Sequence, residues 1–309
     1  MASLFNKIAL KAYYADWESR VSKKRLIFIC SIVVATIVLI LGLSLGLALR
    51  HGGKEPRATP PTSAKWRPGV GTTFQIVLLY PLVDTSVNAD VYDIDLFYND
   101  QDTIAELHRD GRKVICYFSA GSYENWRDDR NQFRLSDLGY NLGGWEGERW
   151  LDINSDNVRR IMTSRLDLAR DKGCDGVDPD NVDGYDNHNG LGLTKADVAD
   201  YVNWLANQTH ARDMSMGLKN AGDIIPYVIR NMQWSVNEQC GQYRECDTYL
   251  PFIQAGKPVF HIEYPKGRTA NNTLSVTDTE KQKSCGSAGS ERFSTVMKNL
   301  NLNSWIQAC

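Results

Sequence analysis

Short apolar runs alternate along the chain with longer segments in which apolar residues recur at helical spacing, a pattern typical of an α/β protein. Eight runs have the length and composition of β-strands: Phe74–Tyr80, Val91–Phe97, Lys113–Ala120, Trp150–Ile153, Gly176–Asp180, Ser215–Asn220, Trp234–Glu238 and Pro258–Tyr264. Helical patterns separate most of them, the clearest at Asn157–Lys172 and Thr194–Ala211. This repeated alternation predicts a (β/α)8 TIM-like barrel. Since no obvious helix joins the first two runs, an open doubly wound sheet is the alternative.

A separate apolar segment precedes these elements. Leu26–Leu49 is uncharged and mostly apolar, and at 1.5 Å per residue it is long enough to cross a bilayer core of roughly 30 Å. Basic residues are concentrated on its amino-terminal side, so the positive-inside rule predicts a type II membrane protein. A cleaved signal peptide is the alternative, but the run is long for one and no clear cleavage site follows.

This orientation divides the chain into four predicted parts. We expect a cytosolic tail over residues 1–25, a transmembrane helix over 26–49, a flexible Gly/Pro/Ser/Thr-rich stalk over 50–65, and an exported domain over 66–309 on the outer face of the cell membrane. The lipid bilayer is thus one predicted partner. Two sequons, at Asn207 and Asn271, are candidates for N-glycosylation on the exported side.

Cysteine usage fits an oxidising compartment. One of the seven cysteines, Cys30, lies in the apolar segment, and the other six lie on the exported side. Six cysteines permit fifteen connectivities. In the pairing that we favour, Cys240 and Cys246 close a short loop and Cys285 with Cys309 ties the C-terminus down, which leaves Cys116 with Cys174.

The exported part differs in charge from the whole chain. The net charge of the full sequence is −2, but residues 66–309 contain 25 Lys/Arg against 34 Asp/Glu, a net charge of −9. An acidic surface disfavours nucleic acid and favours cationic partners. No metal-binding or nucleotide-binding motif stands out, so we predict no metal and no cofactor.

Carboxylates gather where the predicted strands end. The segment Gly173–Tyr185 carries Asp175, Asp178, Asp180 and Asp183, and later strands end at Lys219–Asn220, Glu238 and Glu263. The carboxyl ends of barrel strands carry the active site in this architecture. Aromatic residues that could stack on sugars lie at or just past strand ends: Tyr80, Tyr117, Tyr123, Trp126, Trp150 and Tyr185. Paired carboxylates in an aromatic cleft are the arrangement that cleaves glycosidic bonds.

Two other interpretations use the same features. A type II anchor, a stalk and Asp178-Pro179-Asp180 also describe a glycosyltransferase whose Asp-x-Asp motif holds a metal and a nucleotide sugar. That fold needs a nucleotide-binding sheet before the motif, and the eightfold alternation argues against it. A non-catalytic carbohydrate-binding protein would need the same acidic, aromatic cleft.

Seven motifs in one order resemble glycoside hydrolase family 114 and, with the anchor, its fungal membrane-bound endo-α-1,4-galactosaminidases. The motifs are Cys116–Gly121, Trp150–Ile153, Gly173–Tyr185, Gly217–Asn220, Asn237–Cys240, Tyr243–Cys246 and Lys257–Tyr264. The resemblance spans about residues 66–265 and implies a TIM-like barrel that hydrolyses α-1,4-linked galactosamine. Its substrate would include deacetylated galactosaminogalactan, a fungal exopolysaccharide of biofilm matrix. No family motif is placed after about residue 266.

The resemblance also implies roles for individual residues. Asp180 and Glu238 correspond to the catalytic pair, with Asp180 as nucleophile or base and Glu238 as acid/base, although the two roles could be exchanged. Whether the anomeric configuration is retained or inverted stays open. A polymer of ammonium sugars is the expected partner. Candidate substrate contacts are Asp84, Tyr117, Tyr123, Asp152, Asp178, Asp183, Tyr185, Lys219, Asn220 and Glu263.

Overall fold

Eight parallel strands form a nearly closed barrel in the computed structural model, which describes residues 66–267 and 275–309. The strands in chain order are β1 Phe74–Val77, β2 Val91–Asp95, β3 Lys113–Ser119, β4 Ser122–Glu124, β5 Leu138–Asn141, β6 Glu148–Leu151, β7 Gly176–Asp180, β8 Ser215–Lys219, β9 Trp234–Glu238, β10 Val259–Glu263, β11 Ser294–Lys298 and β12 Ile306–Ala308. The sheet runs β1-β2-β3-β7-β8-β9-β10-β11, with β12 antiparallel at its edge. Strands β4, β6 and β5 form a separate antiparallel sheet.

Side-chain and loop hydrogen bonds join the two ends of the barrel sheet. Ser294 Oγ donates to the carbonyl of Thr72 at 2.6 Å, and Lys298 Nζ donates to Gln75 Oε1 at 2.8 Å. The backbone N–H of Leu78 donates to the carbonyl of Leu302 at 2.9 Å. The final segment of the chain therefore contacts the first strand and completes the barrel wall.

One predicted barrel strand was wrong. The run Trp150–Ile153 falls largely in β6, which pairs with β4 and β5 outside the barrel. The eighth parallel strand is β11, in the C-terminal region where no strand was predicted. The local pattern of apolar residues does not distinguish a barrel strand from a strand of a separate sheet, because tertiary contacts determine which strand it pairs with.

The helices of the described residues are α1 Gln101–Arg109, α2 Asp156–Lys172, α3 Lys195–His210, α4 Ile225–Val228, α5 Cys240–Tyr243, α6 Leu250–Gln254 and α7 Asp278–Cys285. The two helices predicted from periodicity are α2 and α3. Helix α2 ends at Gly173, whose φ of 93° is the left-handed conformation that glycine accepts at a helix C-terminus. Helix α3 begins with a capping box in which Thr194 and Asp197 satisfy each other's backbone N–H groups. No helix joins β1 to β2, as the sequence indicated.

Apolar side chains fill the amino-terminal half of the barrel interior. The Trp234 indole lies across the interior, and a Cβ on Gly176 or Gly217 would approach it to within 2.5 Å or 2.1 Å. Phe74, Phe260 and other apolar residues complete this floor. Because strand residues alternate between inside and outside, the inward positions further along the same strands lie above this floor.

Three disulfides join Cys116 to Cys174, Cys240 to Cys246 and Cys285 to Cys309, the same pairs that the sequence favoured. The last of them ties the chain end to α7. The predicted tail, transmembrane helix and stalk, and the sequon at Asn271, lie outside the described residues. Across residues 66–267 and 275–309, none of the helices has the length and apolar character needed to cross a membrane.

Candidate active site

The last residues of three neighbouring parallel strands converge above the apolar floor. Asp180 ends β7, Lys219 ends β8 and Glu238 ends β9. Carboxyl ends of parallel strands meet at one edge of the sheet, so these three side chains reach the same space. Lys219 Nζ lies 3.2 Å from Asp180 Oδ2 and 3.6 Å from Glu238 Oε2.

The three strands turn sharply at this edge. The residue after each strand end, Asn181, Asn220 or Gln239, has a left-handed φ of 59°, 45° or 65°. Such conformations are uncommon for non-glycine residues and cluster at functional sites. At the first of these turns the backbone N–H of Asn181 points back and donates to Asp180 Oδ1 at 2.7 Å.

Phenol and amide groups orient the two carboxylates. Tyr117 donates its hydroxyl to Asp180 Oδ2 at 3.0 Å. Tyr264 donates its hydroxyl to Glu238 Oε1, and Asn220 Nδ2 donates to Glu238 Oε2 at 3.1 Å. Asn220 is held in turn, because its Oδ1 accepts the backbone N–H of Glu238 at 2.9 Å. These contacts hold both carboxylates as hydrogen-bond acceptors.

Lys219 is the central cation of the site. The side chain is buried, which opposes its charged form, but Asp180, Glu238 and Asp178 outweigh that effect and raise the pKa of Lys219 well above its ordinary value. The ammonium group therefore stays charged across the physiological range. It also lies 5.2 Å from the centre of the Tyr117 ring.

A second pair of carboxyl groups lies below Lys219. Asp178 Oδ2 is 3.8 Å from Lys219 Nζ, and both Asp178 and Asp93 are fully buried. Burial, together with their mutual repulsion, raises the pKa of Asp93 well above its ordinary value, and burial raises that of Asp178 as well. We conclude that this pair retains a proton at neutral pH, because two adjacent buried carboxyls do not both ionise.

The strand ends open into a cavity of about 420 Å³. It is lined by Leu78, Leu79, Asp95, Tyr98, Tyr117, Glu124, Trp126, Arg127, Leu142, Trp145, Glu148, Asp180, Asn181, Asp183, Lys219, Asn220, Glu238, Leu300, Asn301 and Leu302. Six of these side chains carry carboxyl groups and two are cationic. Burial raises the pKa of the Asp183 carboxyl to about 6. The cavity is therefore strongly acidic, in agreement with the charge of residues 66–309.

The small antiparallel sheet supplies one wall of the cavity. Arg127 pairs with Asp95 at 2.7 Å and with Glu124 at 2.8 Å. Glu148 accepts a hydrogen bond from Ser122 Oγ at 2.5 Å, and burial raises the pKa of its carboxyl to about 7. This wall therefore brings to the same space the ion-paired Glu124 and Glu148, which forms no ion pair with any described residue.

Six of the predicted site residues line the cavity: Tyr117, Asp180, Asp183, Lys219, Asn220 and Glu238. Asp178 lies beneath them and is too deeply buried for a substrate contact. Predicting a substrate role for Asp178 was wrong for that reason. Its place is in the carboxyl pair that faces Lys219.

Three predicted carboxylate contacts lie elsewhere. Asp84 is exposed in the β1–β2 loop, where it accepts the N–H of Ser86 at 3.0 Å. Asp152 accepts the N–H of Asn154 at 3.1 Å in the turn before α2. Glu263 is buried against His261 at 2.9 Å and accepts the N–H of Gly241 at 2.8 Å, so it supports α5 rather than the cavity. These are local structural roles that a carboxylate at a strand end also fills.

Two of the predicted aromatic contacts also lie outside the cavity. Tyr123 packs edge-on against Phe133, and Tyr185 lies 5.6 Å from Lys195 Nζ, both away from the cavity lining. Among the described residues, the exposed rings that line the cavity are those of Tyr98, Trp126 and Trp145.

Several residues in or beneath the cavity were not predicted. Asp93 and Asp95 alternate along β2, and that period of two in an otherwise apolar strand is the signal that could have placed both inside the barrel. Glu124, Arg127 and Glu148 gave no such signal, because their position depends on the pairing of β4 with β6. The side chains of Cys240, Cys246 and His261 lie close enough together to hold a metal ion, but the two cysteines are joined in a disulfide.

Comparisons with known proteins found one family and similar solved structures. A model of glycoside-hydrolase family GH114 matches residues 55–309. The crystal structure of Aspergillus fumigatus Ega3 in complex with galactosamine is 68% identical to this chain, covers 81% of this chain and 100% of its own, and superposes with a TM-score of 0.80. The glycoside hydrolase domain of PelA from Pseudomonas aeruginosa, at 11% identity, covers 76% of this chain and 98% of its own with a TM-score of 0.59, a likeness of fold alone. No curated protein matches the chain.

The family match covers the whole barrel, including the C-terminal strand that carried no recognised motif. Both carboxylates at the strand ends lie within it. The chain belongs to glycoside-hydrolase family GH114.

Proposed function

We propose that this glycoside hydrolase is an endo-acting enzyme that cleaves α-1,4-linked galactosamine in partly deacetylated galactosaminogalactan. The observation that carries the proposal is the pair Asp180 and Glu238, which face one acidic cavity and share contact with Lys219. The structure of Ega3, 68% identical, was solved with galactosamine, which supports an amino sugar as the unit recognised. An acidic cavity suits a substrate that carries ammonium groups.

In this proposal Asp180 is the nucleophile. Tyr117, Lys219 and the N–H of Asn181 all donate to its carboxylate, and these three donors hold it in place at the cavity. Glu238 lies farther from the lysine and acts as the acid/base. It protonates the leaving oxygen as Asp180 attacks the anomeric carbon, and then accepts a proton from the water that releases the sugar.

The openness of the cavity supports endo action. Tyr98, Trp126 and Trp145 line it with side chains that are 43%, 42% and 55% exposed. Exposed rings of this kind stack on sugar faces at low entropic cost. Several exposed rings in one cleft can bind successive sugars within an extended polymer, which favours cleavage inside the polymer over cleavage at its end.

The structure weakens the glycosyltransferase alternative. In a metal-binding Asp-x-Asp motif both carboxylates would have to reach the ion. Here Asp178 is buried below the cavity, and the Lys219 ammonium group already lies between it and Asp180. A purely carbohydrate-binding role leaves the paired, oriented carboxylates without a purpose.

We further propose that the enzyme is held at the cell surface as a single-pass type II membrane glycoprotein that acts on biofilm polysaccharide. The apolar run over residues 26–49 and its basic flank support the anchor. The three disulfides support an oxidising compartment. Asn207 is exposed on α3, where a glycan could be attached.

The test is product analysis by mass spectrometry. Full-length protein is incubated with deacetylated galactosaminogalactan beside two variants, Asp180→Asn and Asp84→Asn. We expect short galactosamine oligomers from wild type and Asp84→Asn, whose carboxylate lies outside the cavity, and none from Asp180→Asn. Intact polymer with saturable binding would instead support the carbohydrate-binding role, and equal cleavage by Asp180→Asn would exclude Asp180 as catalytic.

A further inference from the structure

Two glutamates of the cavity wall lie directly opposite one another. Glu124 in β4 and Glu148 in β6 are partners in the antiparallel register, and both side chains line the cavity. Like charges at directly opposed positions destabilise a sheet. Glu124 is compensated, because Arg127 contacts both of its carboxylate oxygens at 2.8–2.9 Å.

Glu148 has no such compensation. In the part of the chain that the structure describes, it forms no ion pair, and its one hydrogen bond comes from Ser122 Oγ to Oε2. The residue is only 7% exposed. Arg127 and Lys219 are engaged with Asp95, Glu124, Asp180 and Glu238. A buried carboxylate that has no cation of its own is costly unless a ligand supplies one.

The groups behind Glu148 fix its orientation. Asn181 Nδ2 donates to Ser122 Oγ at 3.1 Å, so the Ser122 hydroxyl is left to donate its own proton to Glu148. Asn181 is also the residue whose backbone N–H donates to Asp180. One continuous network therefore positions the proposed nucleophile and the Glu148 carboxylate, and it satisfies Oε2 but leaves Oε1 for the cavity.

From this arrangement we infer that Glu148 binds the ammonium group of a galactosamine unit and thereby makes the cavity select deacetylated polymer. The inference rests on the proposed function and identifies the residue that recognises the amino group of the sugar. An ammonium group brings a positive charge and three N–H donors to the carboxylate. An N-acetyl group is neutral, bulkier and has one N–H, so it leaves the buried carboxylate without a cation.

The inference is tested by comparing Glu148→Gln with Glu146→Gln. The control removes the same charge from an exposed position two residues away, in the turn before β6. For Glu148→Gln we expect kcat/KM on α-1,4-galactosamine oligomers to fall about 10- to 100-fold, chiefly through KM, since a charged hydrogen bond is lost. Cleavage of partly N-acetylated oligomers should change by less than about threefold. Glu146→Gln should match wild type on both substrates.

A charge-conserving variant guards against a structural effect. Glu148→Asp should keep a preference for deacetylated oligomers, and thermal unfolding shows that each variant is folded. An equal loss on both substrates, or no loss on the deacetylated one, would overturn the inference.

Binding separates this inference from the proposed function. If wild type cleaves neither substrate, the proposed hydrolysis fails, but calorimetry with galactosamine and N-acetylgalactosamine still tests the site. Tighter binding of galactosamine by wild type, abolished in Glu148→Gln and kept in Glu146→Gln, supports the inference. Equal binding of the two sugars by wild type overturns it.

Discussion

Asp180 and Glu238 both contact the ammonium group of Lys219, and this shared contact limits the distance between them. Since Asp180 Oδ2 and Glu238 Oε2 lie 3.2 Å and 3.6 Å from Nζ, these oxygens can be separated by no more than the sum of the two distances, about 6.8 Å. Retaining glycosidases place their carboxyl groups about 5–5.5 Å apart and inverting enzymes about 6.5–9.5 Å. For these two oxygens the bound includes the whole retaining range and only the lower end of the inverting range.

We therefore predict retention of configuration. Proton NMR recorded in the first minutes of cleavage of an α-1,4-galactosamine oligomer should show the α-anomer at the new reducing end, before mutarotation. A β-anomer as the first product would mean that a water, rather than Asp180, attacks the anomeric carbon.

We predict that azide rescue distinguishes the nucleophile, Asp180, from the acid/base, Glu238. With an activated aryl α-galactosaminide, Asp180→Ala leaves space for azide to attack directly, which gives the β-azide. In Glu238→Ala the covalent intermediate still forms, and azide attacks it from the opposite face, which gives the α-azide. NMR of the products distinguishes the two, and the reverse pattern would exchange the assigned roles.

Much of this site could be predicted because its residues follow local signals. Asp180, Lys219 and Glu238 each end an apolar strand, and the direction of parallel strands brings their ends together whatever the details of packing. Helices α2 and α3 were similarly determined by their apolar spacing and their end residues Gly173 and Thr194.

The remainder depends on contacts between distant segments. Asp152 and Glu238 both follow short apolar runs, but β6 pairs with β4 and β5, so only Glu238 reaches the cavity. Strand β11 was missed because its sequence, Ser-Thr-Val-Met-Lys, has no clear alternation, and its partners β10 and β12 specify it. The opposition of Glu124 and Glu148 follows from antiparallel register, which sequence periodicity does not determine.

Lys219 is predicted to stabilise the folded protein strongly. Replacing it in Lys219→Met leaves Asp178, Asp180 and Glu238 without their shared cation, and breaking a buried pair from one side costs about 3–5 kcal/mol. Burial opposes the charged form of Lys219, but the neighbouring carboxylates favour it more strongly and raise its pKa. The lysine is therefore charged, and stabilises the folded protein, at both pH 5 and pH 8.

Denaturant unfolding at these two pH values should therefore show a loss of stability in Lys219→Met that is larger at pH 8. Burial raises the pKa of the Asp178 carboxyl to about 7, so this carboxyl is more fully ionised at pH 8 than at pH 5. Lys195→Met is the matched control. Lys195 pairs with Asp223 at the surface, both side chains being 55% exposed, and such pairs contribute less than about 1 kcal/mol. A Lys219→Met enzyme as stable as this control would contradict the assignment of Lys219 as the central cation.

Glu148 is predicted to destabilise the free enzyme. Burial raises the pKa of its carboxyl to about 7 from an ordinary value of 4.5, so the folded protein holds a proton that the unfolded chain releases between these values. Stability from this group is therefore full below about pH 4.5 and is lost as pH rises toward 7. Glu148→Gln, which cannot ionise, should be more stable than wild type by about 1–3 kcal/mol at pH 8 and equal to it near pH 4.5.

Denaturant titrations of wild type, Glu148→Gln and the exposed control Glu146→Gln across this range measure the difference. A stabilised variant that has lost its preference for deacetylated polymer would show that the carboxylate is kept for binding at the expense of folding, the trade-off expected of a functional site. If Glu148→Gln were instead less stable at pH 8, the hydrogen bond from Ser122 would outweigh the cost of burying the charge, and Glu148 would be a structural part of the sheet.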